Sequence, residues 1–388
     1  MRGWKHPLFI VCLKYYLLLI RRYVMKYNRL FSLSALLVIF FVFSLFSAAK
    51  NYYSDNTREL FYLPRSAAEG GSDIIFEKSG SPQANPAVLG LDSTNELTLS
   101  YASFYQNTFS ASVLSYAGAI DRKSGFSLSL SYLYNPGIPG TDNLEIGNDG
   151  QPIYDPSRLQ YSAESVILFH AGYGYKFVLN PRIQFGVGLG LNAQRHRLPF
   201  DLYRGYGMGF DAGLVVDFPR PGLRLALACD NVTSNYTRWS STYSELAYPH
   251  LRFGMGWQTE IPYIYGHLSV HYKTPDLFSN EGSNAVDLSS LFGAGDTATA
   301  NQQNLNIPTD TPGIASLKTD PVAFLMSGSL GFEYRIMDVF SVRVGHSMAN
   351  AWTFGCGIAM LKKKLAFDFA YLTHELAPTY QLSVTYRH

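Results

Sequence analysis

Residues 380–388 read "YQLSVTYRH", which puts Tyr380, Leu382, Val384 and Tyr386 on one side of an extended chain and Gln381, Ser383, Thr385 and Arg387 on the other. A repeat of two marks a β-strand whose faces meet unlike surroundings. "LAFDFAY" (Leu365–Tyr371), "WTFGCGIAM" (Trp352–Met360) and "FSLSLSY" (Phe126–Tyr132) carry the same repeat. In each, one face is large and apolar almost without interruption, and the other is mostly Ser, Gly, Ala and Thr. Such a small-residue face makes a poor solvent coat but a suitable lining for a partly filled lumen. The apolar face therefore points out, as contact with lipid demands.

Working outward from the C-terminus, the segments of this kind number fourteen, at 96–105, 110–121, 125–134, 165–177, 183–195, 205–218, 223–232, 250–260, 263–272, 323–335, 339–346, 351–361, 364–373 and 379–388. Each approaches the roughly 9–11 residues that a tilted strand needs to cross a bilayer. No amphipathic helix is expected after Pro86. Tight joints at 122–124, 179–182, 219–222, 261–262, 336–338 and 362–363 alternate with generally longer ones, among them 135–164, 233–249 and 273–322. That asymmetry around an even strand number is the habit of outer-membrane barrels, whose tight turns are periplasmic. The expected fold is all-β, a transmembrane antiparallel barrel of about fourteen strands over 96–388.

Composition agrees. Of 388 residues 47% are apolar and only 15% charged, against roughly 25% charged in a soluble domain. The net charge of +2 and the lack of a basic stripe argue against nucleic acid as a partner. The few ionisable residues on the small-residue face are Arg224, Arg252, Glu333, Arg343 and Asp368, with His170, His267 and His271, and these are the candidate lumen groups. Tyr175, Phe177, Tyr272, Tyr334 and Trp352 stand at segment ends, where aromatic girdles belong. Cys229 and Cys356 read as two buried thiols rather than a bridge, and no metal-ligand spacing occurs, so no cofactor is expected.

The start of the chain reads as a leader. "MKYNRL" (Met25–Leu30) is basic, "FSLSALLVIFFVFSLF" (Phe31–Phe46) is apolar, and "SAA" (Ser47–Ala49) offers small residues for cleavage, the layout of a secretory signal peptide over 1–49. An uncleaved helical anchor is the rival reading, which the small-residue ending disfavours. Residues 1–24 precede this second methionine and read most simply as an upstream mis-start, with a two-helix anchor as the weaker rival.

Residues 50–90 show no strand or helix pattern of their own, and near their end, in "ANPAVLG" (Ala84–Gly90), Pro86 bars a ladder bond so that regular structure can begin only afterwards. The segment is either a tail or a plug folded into the lumen. Inward glycines such as Gly186, Gly188 and Gly190 favour the plug, because they clear room for another backbone.

"ANPAVLGLDSTNELTLSYASFY" (Ala84–Tyr105) resembles the region of FadL-type long-chain fatty-acid transporters, and of their PorV/PorQ-like relatives, where an Asn-Pro-Ala turn ends the N-terminal hatch. The closing stretch from Val342 to His388 is similar to the last hairpins of the PorV-like branch, with its Gly-rich strand and Asp368-Phe369. The chain departs from the pattern in "SDIIFEKSGSPQ" (Ser72–Gln83) upstream of the turn and in ending Tyr386-Arg387-His388 rather than on an aromatic. The resemblance implies a hatch over 50–95 whose turn is Asn85, Pro86 and Ala87, and a place in the bacterial outer membrane, among its lipid.

It also implies one of two functions. The first is passive uptake of hydrophobic or amphipathic small molecules such as fatty acids, with Arg252 or Arg343 available to a ligand carboxylate. Inward arginines more often pair with inward acids, here Glu333 or Asp368. The second is an accessory or scaffold barrel serving secretion-system proteins. His346-Ser347 and His374-Glu375 lie at strand ends, but without a nucleophile elbow, zinc helix or phosphate loop no enzyme is expected.

Overall fold

The computed structural model describes residues 57–72, 74–76, 81, 84–92, 94–140, 144–145, 153–240, 244–247, 249–277, 320–347 and 352–388. The expected leader over 1–49 lies outside them, as does most of the long loop at 273–322.

The strands are β1 (Glu96–Phe104), β2 (Phe109–Ala119), β3 (Ser124–Gly140), β4 (Gln160–Asn180), β5 (Ile183–Arg197), β6 (Arg204–Phe218), β7 (Leu223–Asp230), β8 (Asn235–Trp239), β9 (Ser244–Ala247), β10 (His250–Ile261), β11 (Gly266–Lys273), β12 (Ser329–Ile336), β13 (Phe340–His346), β14 (Thr353–Met360), β15 (Leu365–Leu372) and β16 (Thr379–Arg387). All pairings are antiparallel, β1 pairs with β16, and β5 with β6, so the sheet closes on itself with no free edge. β8 resumes the line of β7 along β6, and β9 resumes the line of β10, so these sixteen pieces make fourteen staves. Closure removes the exposed ladder groups that hydrocarbon cannot satisfy.

The faces fall as the period-two reading requires. Along β16, Tyr380, Leu382, Val384 and Tyr386 are exposed while Gln381, Ser383 and Thr385 are buried. Leu99 is 58% exposed beside Thr98 at 5%, and on β3 Leu130 and Tyr132 look out while Ser129 and Ser131 look in. An apolar belt outside and a small-residue lining inside give the fold of an outer-membrane β-barrel.

Four expectations need correction. The strand expected at 323–335 starts only at Ser329, because Pro321–Met326 forms a short helix. Its N-cap is Asp320, whose side chain accepts the Ala323 N–H at 2.9 Å, and Pro321 needs no donor in the first turn. The strand expected from 263 starts at Gly266, since Pro262–Ile264 is a 3₁₀ turn ending on left-handed Tyr265 (φ 50°). The connection expected at 233–249 carries β8 and β9, while β3 and β4 run on to Gly140 and back to Gln160. Both described cysteines are free, but only Cys229 is buried, Cys356 facing outward.

The tight ends are cross-tied. Lys363 donates to Asp338 at 2.7 Å, which holds that carboxyl below the usual carboxylate range, and His267 lies 3.4 Å from the same side chain.

Outward placement of the belt has a measurable consequence. Leu99→Arg should destabilise the vesicle-embedded barrel by about 2–4 kcal/mol in denaturant unfolding, as cations near the bilayer midplane do. Tyr236→Arg, on the β8–β9 extension, should change stability by about 0.5 kcal/mol or less. Equal, small effects would mean that Leu99 does not meet lipid.

Candidate functional site

The segment before β1 has more local structure than its sequence pattern announces: a 3₁₀ turn at Thr57–Phe61, a helix α1 at Pro64–Ala68 and a 3₁₀ turn at Pro86–Gly90. The lack of a strand or helix pattern over 50–90 thus does not mean a lack of local structure. Its residues are buried against the inner wall, with Phe61, Ala68, Ile74, Ile75, Ala87 and Val88 at 0% exposure.

Asn85, Pro86 and Ala87 are where the contact is closest. The Asn85 carbonyl oxygen of the side chain accepts the Ala87 N–H at 3.0 Å and caps the turn that Pro86 opens. Its amide nitrogen donates to the carbonyls of Leu227 and Leu214 at 3.3 and 3.5 Å, two residues paired across β6 and β7. Beneath the turn, Gly125, Gly174, Gly188 and Gly213 are successive partners across β3, β4, β5 and β6, a row of four glycines on four neighbouring strands. A Cβ at Gly174 would meet the Pro86 carbonyl oxygen, at Gly188 the Pro86–Ala87 peptide, at Gly125 the Leu89 carbonyl oxygen and at Gly213 the Asn85 side chain. Gly186 faces Ala87 in the same manner. Gly190 does not serve this purpose, for it lies against the His170 and Asp211 side chains.

α1 rests on the opposite sector. Gly331 and Gly345, paired across β12 and β13, face the Glu69–Gly70 backbone, and Gly355 faces the Ala68 methyl. Thr353 donates to the Ala68 carbonyl at 2.9 Å. Gly70 and Gly71 carry the chain away at φ 71° and 79°, a region open mainly to glycine.

Two clusters of charge tie the segment to the wall. In the first, Arg58 makes a two-pronged contact with Asp211 at 2.9 and 3.1 Å, and lies 3.8 Å from Asp230, which also binds Arg252. Asp211 further accepts from the Asn192 side chain at 2.6 Å and the Asn231 N–H at 2.9 Å. In the second, Arg343 reaches Glu333 and Asp368, both at 2.7 Å, and Glu69 at 3.5 Å. Arg335 and Arg65 approach Glu333 at 2.6 and 3.2 Å, while Glu69 lies 3.0 Å from His271. Of the candidate lumen residues, Glu333, Arg343 and Asp368 thus come together, and Arg252 belongs to the other cluster. Arg224 stands apart, 2.8 Å from Asp217 and over the Phe76 ring at 5.0 Å.

Asp211 was legible but overlooked: it shares the inward parity of Gly205, Gly207, Gly209 and Gly213. Asn231 was not, because three residues of β6 (209–211) face six residues of the β7–β8 line (230–235) there, which breaks the repeat.

Above the segment, at the loop ends of the strands, lies an open cavity of about 480 Å³. Leu60, Tyr62, Ala67, Gly70 and Gly71 make its floor. Phe104, Tyr105 and Leu372 give it apolar wall, and His250, Arg252, Lys273 and His374 the polar groups. Lys273 donates to the Gly71 carbonyl and to the Tyr62 hydroxyl, the latter at 3.1 Å. Among the described residues, no set of three or more His, Cys, Asp or Glu is arranged to hold a metal ion.

No family model matches the chain, and no curated protein matches it in sequence. Among solved structures, the toluene transporter TodX of Pseudomonas putida aligns at 10% identity and a TM-score of 0.44, over 84% of this chain and 97% of its own. A deletion mutant of TodX, described as a monoaromatic hydrocarbon channel, aligns at 12% and 0.47 over 84% and 98%. A Pseudomonas aeruginosa FadL homologue aligns at 12% and 0.38 over 87% and 99%. The chain is structurally similar to FadL-family outer-membrane channels at low sequence identity.

Close approach and charge pairing give separate tests. Gly188→Val should raise hydrogen exchange at Ala87–Leu91 about tenfold or more by dislodging the turn, whereas Leu189→Ala, on the outer face, should leave it protected. Removing the buried Arg343 cation, as in Arg343→Met, should cost about 3–5 kcal/mol in denaturant unfolding, and the double variant with Glu333→Met should recover part of that loss.

Proposed function

We propose that this barrel is a passive channel that takes up hydrophobic or amphipathic small molecules. The observation that carries the reading is the mouth cavity, whose volume of about 480 Å³ lies within the usual span of small-molecule pockets. Its apolar walls suit a hydrocarbon body. Arg252 and Lys273, although held by Asp230 and by the Gly71 carbonyl and Tyr62 hydroxyl, line the cavity and suit an anionic head. Arg343, engaged with Glu333, Asp368 and Glu69, is not among the lining residues.

The floor of that cavity is the segment before β1, so a captured molecule reaches the lumen only if 57–92 moves. In this reading the segment is a hatch, and Asn85, Pro86 and Ala87 are the turn that seats it. Because the described residues of the segment add no strand to the barrel, they can shift without opening the ladder. Substrate would enter by partition, since a passive barrel offers no coupled energy source.

The test uses the mature barrel in detergent and in vesicles. A fluorescent long-chain carboxylic acid should bind, with neutral hydrocarbon competing. Thr379→Trp, which fills the cavity from β16, should weaken binding about tenfold, or roughly 1.4 kcal/mol. Arg252→Gln should weaken the acid more than the hydrocarbon. If neither probe binds, and the barrel instead co-purifies with secretion components, the scaffold reading replaces this one.

A further inference from the structure

The short helix at Pro321–Met326, here α2, lies where the β12 stave begins, and its surface is unusual for a loop element. Val322, Leu325 and Met326 occupy positions i, i+3 and i+4, one face of a helical turn. They are 68%, 54% and 65% exposed, whereas Phe324, on the opposite face, is buried. Three large apolar side chains on one exposed face of a six-residue helix cost free energy if that face meets water.

The contacts of α2 tell which side of the wall it occupies. Its Leu325 carbonyl accepts the Tyr272 hydroxyl at 3.2 Å, and the place of a Cβ on Gly328 is filled by the Tyr272 ring and the Lys273 carbonyl. Tyr272 is on the outward parity of β11, between inward His271 and Lys273. Its register partner on β12 is Leu330, whose partner on β13 is His346, and His346 meets the Trp352 ring edge-on at 5.5 Å. Leu330 and Trp352 are exposed. Tyr272, Leu330, His346 and Trp352 thus form an outward row at the loop end, where an aromatic girdle meets the headgroup level. α2 sits on that row.

We propose that α2 is an interfacial foot, with Val322, Leu325 and Met326 inserted among the acyl chains of the outer leaflet and Asp320 left at the headgroups. The occupant follows from continuity, because α2 is bonded to Tyr272, whose register partner Leu330 belongs to the exposed apolar belt that runs on through Phe332. A short amphipathic helix lying in the interface plane buries its apolar side at the headgroup–acyl boundary. The foot pins the end of the 273–322 connection to the membrane beside the cavity mouth. The inference rests on the reading of the outer belt as lipid-facing, and its test carries a control for that premise.

In a Cys356→Ser background, which leaves buried Cys229 alone, the full mature barrel is labelled with an environment-sensitive fluorophore at Leu325→Cys, Leu99→Cys or Tyr236→Cys. It is then reconstituted in phosphatidylcholine vesicles containing lipid with a quencher high or low on the acyl chain. The Leu325 site should emit blue-shifted and be quenched at least twofold more by the high quencher than by the low one. Leu99, in mid-belt, should favour the low quencher, and Tyr236 should respond to neither. Leu325 emission matching that of Tyr236, with quenching by aqueous iodide alone, would overturn the foot. So would lipid protection lost together with a disulfide-linked dimer through Leu325→Cys, which would mean that a second copy covers this face. A water-exposed Leu99 site would instead overturn the membrane premise.

Discussion

The structure depends on one close approach: the backbone of residues 85–90 laid directly on the inner wall over Gly125, Gly174, Gly188 and Gly213. A wall of ordinary side chains would hold that turn several ångströms further in, out of reach of the Leu214 and Leu227 carbonyls. With glycines below it, Asn85 can cap its own turn with one end of its amide and bind two staves with the other. Glycine costs strand stability, roughly 0.5–1 kcal/mol relative to Ala at each position. Four in one row are tolerable because the space they vacate is refilled by buried Pro86, Ala87, Val88 and Leu89.

Once the turn is seated, the rest of the lumen becomes an electrostatic problem. Ions enclosed away from water must be paired and hydrogen-bonded to offset their desolvation. Among the described residues, Arg58 and Arg252 face Asp211 and Asp230, and Arg65, Arg335 and Arg343 face Glu69, Glu333 and Asp368. The first cluster is neutral in sum only with Arg58 from the segment before β1, whereas the second is neutral on the wall alone and stays so with Arg65 and Glu69 added. Ion pairs cross between wall and segment in both clusters, and a chain with only fifteen per cent charged residues places many of them there.

The fourteen staves were legible because most of them alternate large apolar with small residues, a signal that survives without any knowledge of pairing, although the second and fourth blur it by turning Val113, Val166 and Leu168 inward. What escaped were features in which local chemistry overrides that repeat. Asp320 and Pro321 start a helix within an apolar stretch that otherwise passes for strand, and Tyr265 turns left-handed and shortens β11. Glu333, Arg343, Asp368 and Arg252 stood out as charges on a small-residue face. Their partners Arg58, Arg65 and Glu69 lie in a segment without periodicity, so nothing in its pattern says where they point. Gly186 and Gly188 were legible as room for a backbone, but the same argument misassigned Gly190, whose neighbours are side chains. Periodicity tells which face a residue occupies and not what fills the space before it.

The two clusters differ in what they leave behind. Removing Arg65 and Glu69 takes one charge of each sign, so Glu333 and Asp368 still face Arg335 and Arg343 on the wall. Removing Arg58 takes a cation alone: Arg252 still pairs with Asp230, but buried Asp211 loses its cation and keeps only hydrogen bonds from Asn192 and the Asn231 N–H and the neighbouring His170. An uncompensated buried carboxylate is the costlier outcome. Electrostatics alone therefore favours release at α1 over release at Arg58. α1 also carries Ala67, and the turn after it Gly70 and Gly71, all in the cavity floor. If the segment acts as the proposed hatch, the floor would give way at that side while Arg58 keeps the segment moored, and the asymmetry of the pairing, rather than its strength, is what would suit that movement.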